Sequence, residues 1–495
     1  MTSGAIMPKA RVVAQDVTSD VAGLPAKVGY ADPFDALVDE MRPVALRSVD
    51  TMQVAASLES AGVTDRAARV RFGYADVFDL ADEVCRRVGP GSDQPYPRRA
   101  RNWTAELRDI GHGLLYLLPG AAFPIAFGAL GRQTLVVGVL VAATLGWVWS
   151  GVTAWLAYQM LGDGKPGCAG RLLRWSSLAA LPVAALTGAA VARVTGTSYG
   201  VVVLAVAQMA YQMAITTLVF YRREVLAFVS MTPALMAGIG YAFGGADVLP
   251  TATGLCLASL GLALAVALKQ TTSQPTSRPT SQPGDQPGGS DPPLSLALRQ
   301  KFRPLLPMLA FIMLSAAFFL IPQGRHLLGQ SDIAIAFIPV IAGMGVVEWR
   351  ARLFGDAART LLTRVGHPRQ FVVRVWGLVL SGLAICLVSV SALAAVLITV
   401  LDRTGQLTPA IGFMATAGVL LAGAYYLGFL LANLGRFREL CGSLLVCAGS
   451  YAASGLVTGG DMRRDTTALL AATTALILLY LAALAGCVGQ AQRHR

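Results

Sequence analysis

The sequence predicts an all-α, polytopic membrane protein, with about twelve transmembrane helices in two pseudo-repeated six-helix bundles and a small N-terminal helical cytoplasmic domain. Three observations carry that expectation. The 495 residues are 55% hydrophobic and only 14% charged, which is too apolar for an ordinary soluble domain. A tract from Thr271 to Pro293 reads TTSQPTSRPTSQPGDQPGGSDPP; it has almost no apolar side chain to bury, cannot offset its ordering entropy, and reads as a linker. On either side lie long apolar segments, six before it and six after, each long enough to cross roughly 30 Å of hydrocarbon.

Residues 1–32 have the composition of a disordered tail. From 33 to 105 the pattern is that of short amphipathic helices. Phe34, Leu37, Val38 and Met41 recur at helical spacing, Val44 to Leu58 continues the pattern, and Thr64, Asp65 and Arg66 open another helix. Asp76 then stands as a cap before an apolar face of Val77, Phe78, Leu80, Ala81, Val84 and Cys85. Such a domain serves either to dock a partner enzyme or to pack on the cytoplasmic loops. The basic run Pro95 to Arg101 leads to the membrane surface.

The first membrane half is expected over 106–269, the linker over 270–300 and the second half over 301–495. The expected spans are 112–131, 134–161, 174–194, 200–221, 225–245 and 248–268, then 303–322, 332–349, 371–401, 408–432, 440–458 and 467–488. Prolines at 119, 124, 182, 233, 250, 304, 307, 322 and 339 are expected to interrupt helices. The first long apolar run begins only near His112, so no secretory signal is expected. Alternate loops are rich in Arg and Lys, among them Lys165, Arg171, Arg222, Arg223, Arg350, Arg352, Arg436 and Arg438. The positive-inside rule then puts these loops, both termini and the linker in the cytoplasm of a cell-membrane protein. The net charge of +12 accordingly marks loops and contact with anionic membrane lipids, and no nucleic-acid partner is expected.

Within the halves, YQMAITTLVFYRREVLAFVS (211–230) aligns without a gap on YLGFLLANLGRFRELCGSLL (426–445). Tyr211 falls on Tyr426, Arg223 on Arg438 and Glu224 on Glu439. The fourth and tenth helices therefore correspond, and six crossings per half give the halves one orientation.

No catalytic nucleophile motif, phosphate loop or metal-ligand spacing stands out. The seven cysteines sit singly and the four histidines are scattered, so neither an enzyme nor a cofactor or metal is expected. The acids Asp163, Glu224, Glu348 and Glu439 all fall at helix ends, which leaves no proton or sodium site of the usual carboxylate kind. What stands out is the end of the second helix: Gln159, then Gly162, Asp163 and Gly164, then Arg171 and Arg174. The glycines permit a sharp turn, and the two arginines share a helix face from which they can hold phosphates or carboxylates. The eighth helix brings Phe337 to Pro339, Gly343, Gly345, Glu348 and Arg350.

These two stretches resemble the multidrug/oligosaccharidyl-lipid/polysaccharide (MOP) exporter superfamily, in particular its polysaccharide exporters. The resemblance covers the layout of residues 108–490 and implies a flippase that exports a polysaccharide or lipid-linked glycan by alternating access. It leaves two alternatives, a small-molecule or drug exporter of the major facilitator or multidrug type, and a non-transporting scaffold for a cytoplasmic glycosyltransferase. Residues placed on the substrate path are Gln159, Arg171, Arg174, Gln208, Tyr211, Gln212, Glu348, Arg350, Tyr425 and Tyr426.

Overall fold

The computed structural model describes residues 32–45, 48, 51–89, 106, 110–111, 113–272, 292–326, 335–364, 368–458 and 461–490. The tail 1–31, the basic run 95–101, the body of the linker (273–291) and three of the histidines (112, 367 and 494) lie outside the described residues, as does the side chain of His326. The chain divides into two compact units, Met1–Arg98 and Arg99–Arg495.

The first unit is a four-helix cluster. In α1 (Pro33–Ala45) Phe34, Leu37, Val38 and Met41 are buried, one stripe along the helix. Helix α2 (Thr51–Ser60) adds Val54, Ala55 and Leu58, so the stretch read as continuing from Val44 is two elements. Helix α3 (Asp65–Ala67), capped by Thr64, runs into a π-turn over Ala68–Phe72. Helix α4 (Val77–Val88) starts where the Asp76 carboxylate accepts the Asp79 N–H. Its buried face is Val77, Leu80, Ala81 and Val84. Phe78, expected on that face, is instead exposed, because one residue is a 100° rotation away from the 77/81/84 stripe.

The second unit is helical throughout its described residues, and each of the twelve expected spans has its helix. They are α5 (Phe123–Leu130), α6 (Arg132–Gly162), α7 (Pro166–Thr195), α8 (Gly200–Phe220), α9 (Glu224–Gly244) and α10 (Leu249–Gln270), then α11 (Leu294–His326), α12 (Ile338–Arg364), α13 (Pro368–Arg403), α14 (Pro409–Asn433), α15 (Phe437–Thr458) and α16 (Met462–Ala485). Among the described residues, nine segments are long and apolar enough to cross a membrane; one of them, Glu224–Gln270, contains both α9 and α10.

Three boundaries differ from expectation, each for a local reason. The first span is broken, with a 3-10 turn over Leu118–Ala122 ahead of α5, because Pro119 and Pro124 each open an element at its first turn. Pro250 likewise sits in the first turn of α10 and Pro339 at the start of α12. Of the nine prolines, only Pro182, Pro233, Pro304, Pro307 and Pro322 lie inside helices. Helix α11 begins at Leu294, within the stretch read as linker. Ala297 is buried there, and Leu294 and Leu298 pack with it on Leu156, Cys168 and Leu172. Helix α12 runs on to Arg364 where a basic loop was expected. The apolar positions Val347, Ala351, Phe354 and Ala358 continue its buried stripe beyond the membrane-length segment.

The repeat is present in the packing. In each half the same seven helix pairs touch: second with third, second with fourth, third with fourth, fourth with fifth, fourth with sixth, fifth with sixth, and first with fifth. The halves also exchange their first helices. Helix α11 packs on α6, and the segment before α5 packs on α12, where Gly113 and Gly345 cross backbone to backbone.

The register of the repeat differs from the sequence alignment by two residues. At the end of α8, Tyr221, Arg222 and Arg223 donate their N–H groups to the Thr217, Val219 and Leu218 carbonyls. At the end of α14, Leu434, Gly435 and Arg436 donate to Leu430, Ala432 and Leu431. The offset is therefore 213, not 215, and Tyr211 is not the counterpart of Tyr426. The alignment followed tyrosine and charge identity, whereas the helix ends are set by the residue that can turn left-handed.

Candidate functional site

The turn between α6 and α7 is built by the same hydrogen-bond pattern, with Asp163 donating to Gln159 O, Gly164 to Leu161 O and Lys165 to Met160 O. Gly164 takes φ +74°, which only glycine adopts without strain. The polar side chains of this turn reach the start of α11. Lys301 Nζ lies 2.8 Å from the Asp163 carboxylate, Lys165 Nζ donates to Gln300 Oε1 at 3.4 Å, and Arg171 donates to the Pro292 carbonyl at 3.0 Å. Arg171 also lies 3.2 Å from Cys168 Sγ. The turn read as a substrate contact thus grips the entry of the second half. Gln159 and Arg174 are exposed on either side of this grip.

A second polar junction between the halves lies around Glu348. The Tyr116 hydroxyl donates to Glu348 Oε1 at 3.2 Å. Tyr158, near the end of α6, lies in the field of Arg352, Arg222, Glu348 and Glu224. Glu224 itself is buried at the first turn of α9. Arg222 is the one non-glycine residue with positive φ among the described residues, at +55°; its counterpart in the second half is Gly435, at +72°. Both junctions lie at the end of the bundle that carries the α6–α7 and α8–α9 turns.

The remaining predicted residues do not gather into one site. Gln208 is half-buried on α8. Tyr211 is buried and its hydroxyl donates to the Leu115 carbonyl, fixing the segment before α5. Gln212 lies over Gly146 of α6. Tyr425 donates to the Ser315 carbonyl at 3.3 Å, and its ring lies 6.2 Å from Trp147 of the first half. Trp147 also stands 5.4 Å from Phe319, so the mid-depth contact between the halves is aromatic. Tyr426 and Arg350 face the interior of the second half. Arg436 and Glu439 form an ion pair at the start of α15, and the hydrogen bond from Arg436 holds the Glu439 carboxyl below its usual range.

Tyr116, Tyr158, Arg222 and Lys301 belong to the junctions and were missed as site residues. Tyr116 and Tyr158 belong to no motif that would have singled them out, and Lys301 fell just past the expected linker, at the first residue of the second half. Asp465, also missed, is a buried carboxylate in the first turn of α16, where it accepts the Tyr451 hydroxyl at 2.7 Å. It falls two residues before the expected last span, 467–488, and no sequence motif marks it. Among the described residues no His, Cys, Asp and Glu cluster could hold a metal ion.

No protein-family model matches the sequence, and no curated protein matches it. Solved structures do. The eukaryotic MATE transporter AtDTX14 is similar over 79% of this chain and 99% of its own, at 13% identity and a TM-score of 0.50. An outward-facing multidrug resistance MATE family transporter of the MOP superfamily is similar over 78% of this chain and 97% of its own, also at 13% identity and a TM-score of 0.50. The helical membrane unit therefore shares the fold of MATE transporters, two repeated bundles of six helices.

Proposed function

We propose that this chain is a transporter working by alternating access, and that it moves a polysaccharide or lipid-linked glycan outward across the cell membrane. The observation that carries the reading is the pair of junctions, Asp163 with Lys301 and Tyr116 with Glu348. Each joins one half to the other, and both lie at a single end of two similarly packed bundles. Two like halves tied at one end are the arrangement that rocking about a central path requires. The positive-inside reading makes that end cytoplasmic, so this is the outward-facing or occluded arrangement. The exposed Arg174 favours a substrate with an anionic head, approached from the cytoplasmic lipid surface. In the same reading the N-terminal helical unit docks a cytoplasmic glycosyltransferase that supplies the substrate. A second reading, drug export, is favoured by the solved multidrug resistance transporter whose fold this chain shares.

The test is reconstitution in vesicles with two substrates in parallel, a fluorescent lipid-linked oligosaccharide and a cationic dye. Movement of the glycolipid alone supports the first reading, and movement of the dye alone supports the second. Movement of neither, by protein shown to be folded, removes transport and leaves the scaffold.

A further inference from the structure

Helix α12 presents two faces with different work. Gly345 crosses the backbone of Gly113 and Ile110 in the first half, and Glu348 and Arg352 lie close to that direction around the helix. Gly343 faces the other way, with Val390 of α13 against it. Arg350 is seven residues from Gly343, two turns along the same face, so it points into the second half and away from the junction.

Antiparallel packing then sets its level. Gly343 meets Val390, and moving seven residues along α12 corresponds to moving about two turns back along α13, to Gly382. At Gly382 the neighbour is the Tyr426 hydroxyl of α14, so close that any Cβ there would overlap it. The missing side chain is what lets the phenol reach this level. Tyr426 has no exposed surface, and its hydroxyl has no hydrogen-bond partner among the described residues; Arg350 is half-buried, and its Nε is buried and also unpartnered among them. The Arg350 guanidinium stands 5.5 Å over the Trp349 ring. The electrostatic field of Arg350 reaches both Tyr426 and Cys386. Around them the core is Val347, Val379 and Leu383. The adjacent acid, Glu348, is committed to Tyr116 on the opposite face.

A cation among apolar helices with no counter-charge is costly, and natural membrane proteins pair it. Here two donors, Arg350 Nε and the Tyr426 phenol, are brought to one level with no partner for either among the described residues. We propose that Arg350 and Tyr426 bind a small inorganic anion, of the size of chloride, inside the second half. The site goes beyond the transport reading and does not depend on it. It is distinct from the junctions, and its role is to neutralise a charge that would otherwise loosen the packing of α12, α13 and α14.

The experiment is thermal unfolding of the full chain in a non-ionic detergent, in sodium chloride or sodium gluconate at matched ionic strength. The wild type is expected to unfold at a temperature higher by a few degrees in chloride, in a saturable manner. Tyr426→Phe should reduce that shift and Arg350→Met abolish it. In gluconate, Arg350→Met should be at least as stable as the wild type, because an uncompensated charge has been removed; this outcome also shows that the variant folds. Equal stability of the wild type in both salts would overturn the proposal. So would a shift that survives in Arg350→Met, or one obtained only with added phosphatidylglycerol, which would make the occupant a lipid head. No transport is measured, so failure of the transport reading leaves this result intact.

Discussion

Arg222 is where stability and function are expected to part. It ends α8 at φ +55°, in a turn whose hydrogen bonds match those of the turn after α14, where Gly435 stands. A residue bearing a Cβ costs roughly 1–2 kcal/mol in this conformation, and glycine returns about 0.5–1 kcal/mol of that through its freer unfolded chain. Arg222→Gly is therefore expected to stabilise the protein by about 0.5–1 kcal/mol in equilibrium unfolding in mixed micelles. The same change removes a cation from the field around Tyr158 and Glu348, so transport per folded molecule should fall. Arg222→Asn separates the two effects, since Asn tolerates the left-handed region without carrying charge. The reverse change, Gly435→Arg, should by the same balance cost about 0.5–1 kcal/mol. If Arg222→Gly proved less stable than the wild type, the arginine would be held by contacts stronger than its strain. If it transported normally, the junction would not need the charge.

Gly345→Ala places a Cβ 2.1 Å from the Ile110 carbonyl oxygen and 2.7 Å from the Gly113 nitrogen, both backbone, and overpacking of this kind should cost about 1–3 kcal/mol. Gly261→Ala, where a Cβ meets nothing within 4 Å, should be neutral or stabilising by about 0.5–1 kcal/mol, and equal unfolding of the two variants would contradict the crossing. Lys301→Asp should impair transport by opposing Asp163, and Asp163→Lys in the same chain should restore it; a double variant as poor as the single would show that the pair does not act as a clamp. The depressed carboxyl of Glu439 contributes stability that is present above the ordinary carboxylate range and is lost as pH falls through its lowered folded value. Glu439→Gln should accordingly flatten the decline in unfolding temperature as pH falls below about 4.5, with an unchanged slope there counting against the pair.

Much of the fold was legible because apolar length is a direct physical requirement of a membrane. Every expected span holds a helix, and the fourth and tenth helices do correspond, although the tyrosines and charges matched between them are two residues out of register. The register was not legible, because identity of side chains misled where backbone geometry decides. Arg222 occupies a glycine's position, and nothing in the string YRRE announces a left-handed residue. The site was less legible for a related reason. Glu348 and Arg350 read together as the polar end of a helix, yet two residues on a helix point about 200° apart. One joins the first half through Tyr116, and the other enters the core of the second. Arg171 read as a phosphate contact but donates to Pro292 O, a carbonyl that no side-chain pattern could reveal.

The chain's covalent order explains why the clamp is lopsided. Asp163 and Lys301 keep 33% and 17% of their side-chain surface exposed, and an ion pair so placed contributes only about 0–1 kcal/mol. Such a contact between separate molecules would not persist. Here the tract from Thr272 to Pro292 ties the two halves together, so the partners meet at high effective concentration and closure costs little further entropy. Doubling the tract would change that term by only about 0.6 kcal/mol. A clamp this weak, held by connection more than by contact, suits the proposed cycle: it closes without a partner, yet differential binding of a substrate to the open state by even tenfold, about 1.4 kcal/mol, is enough to release it.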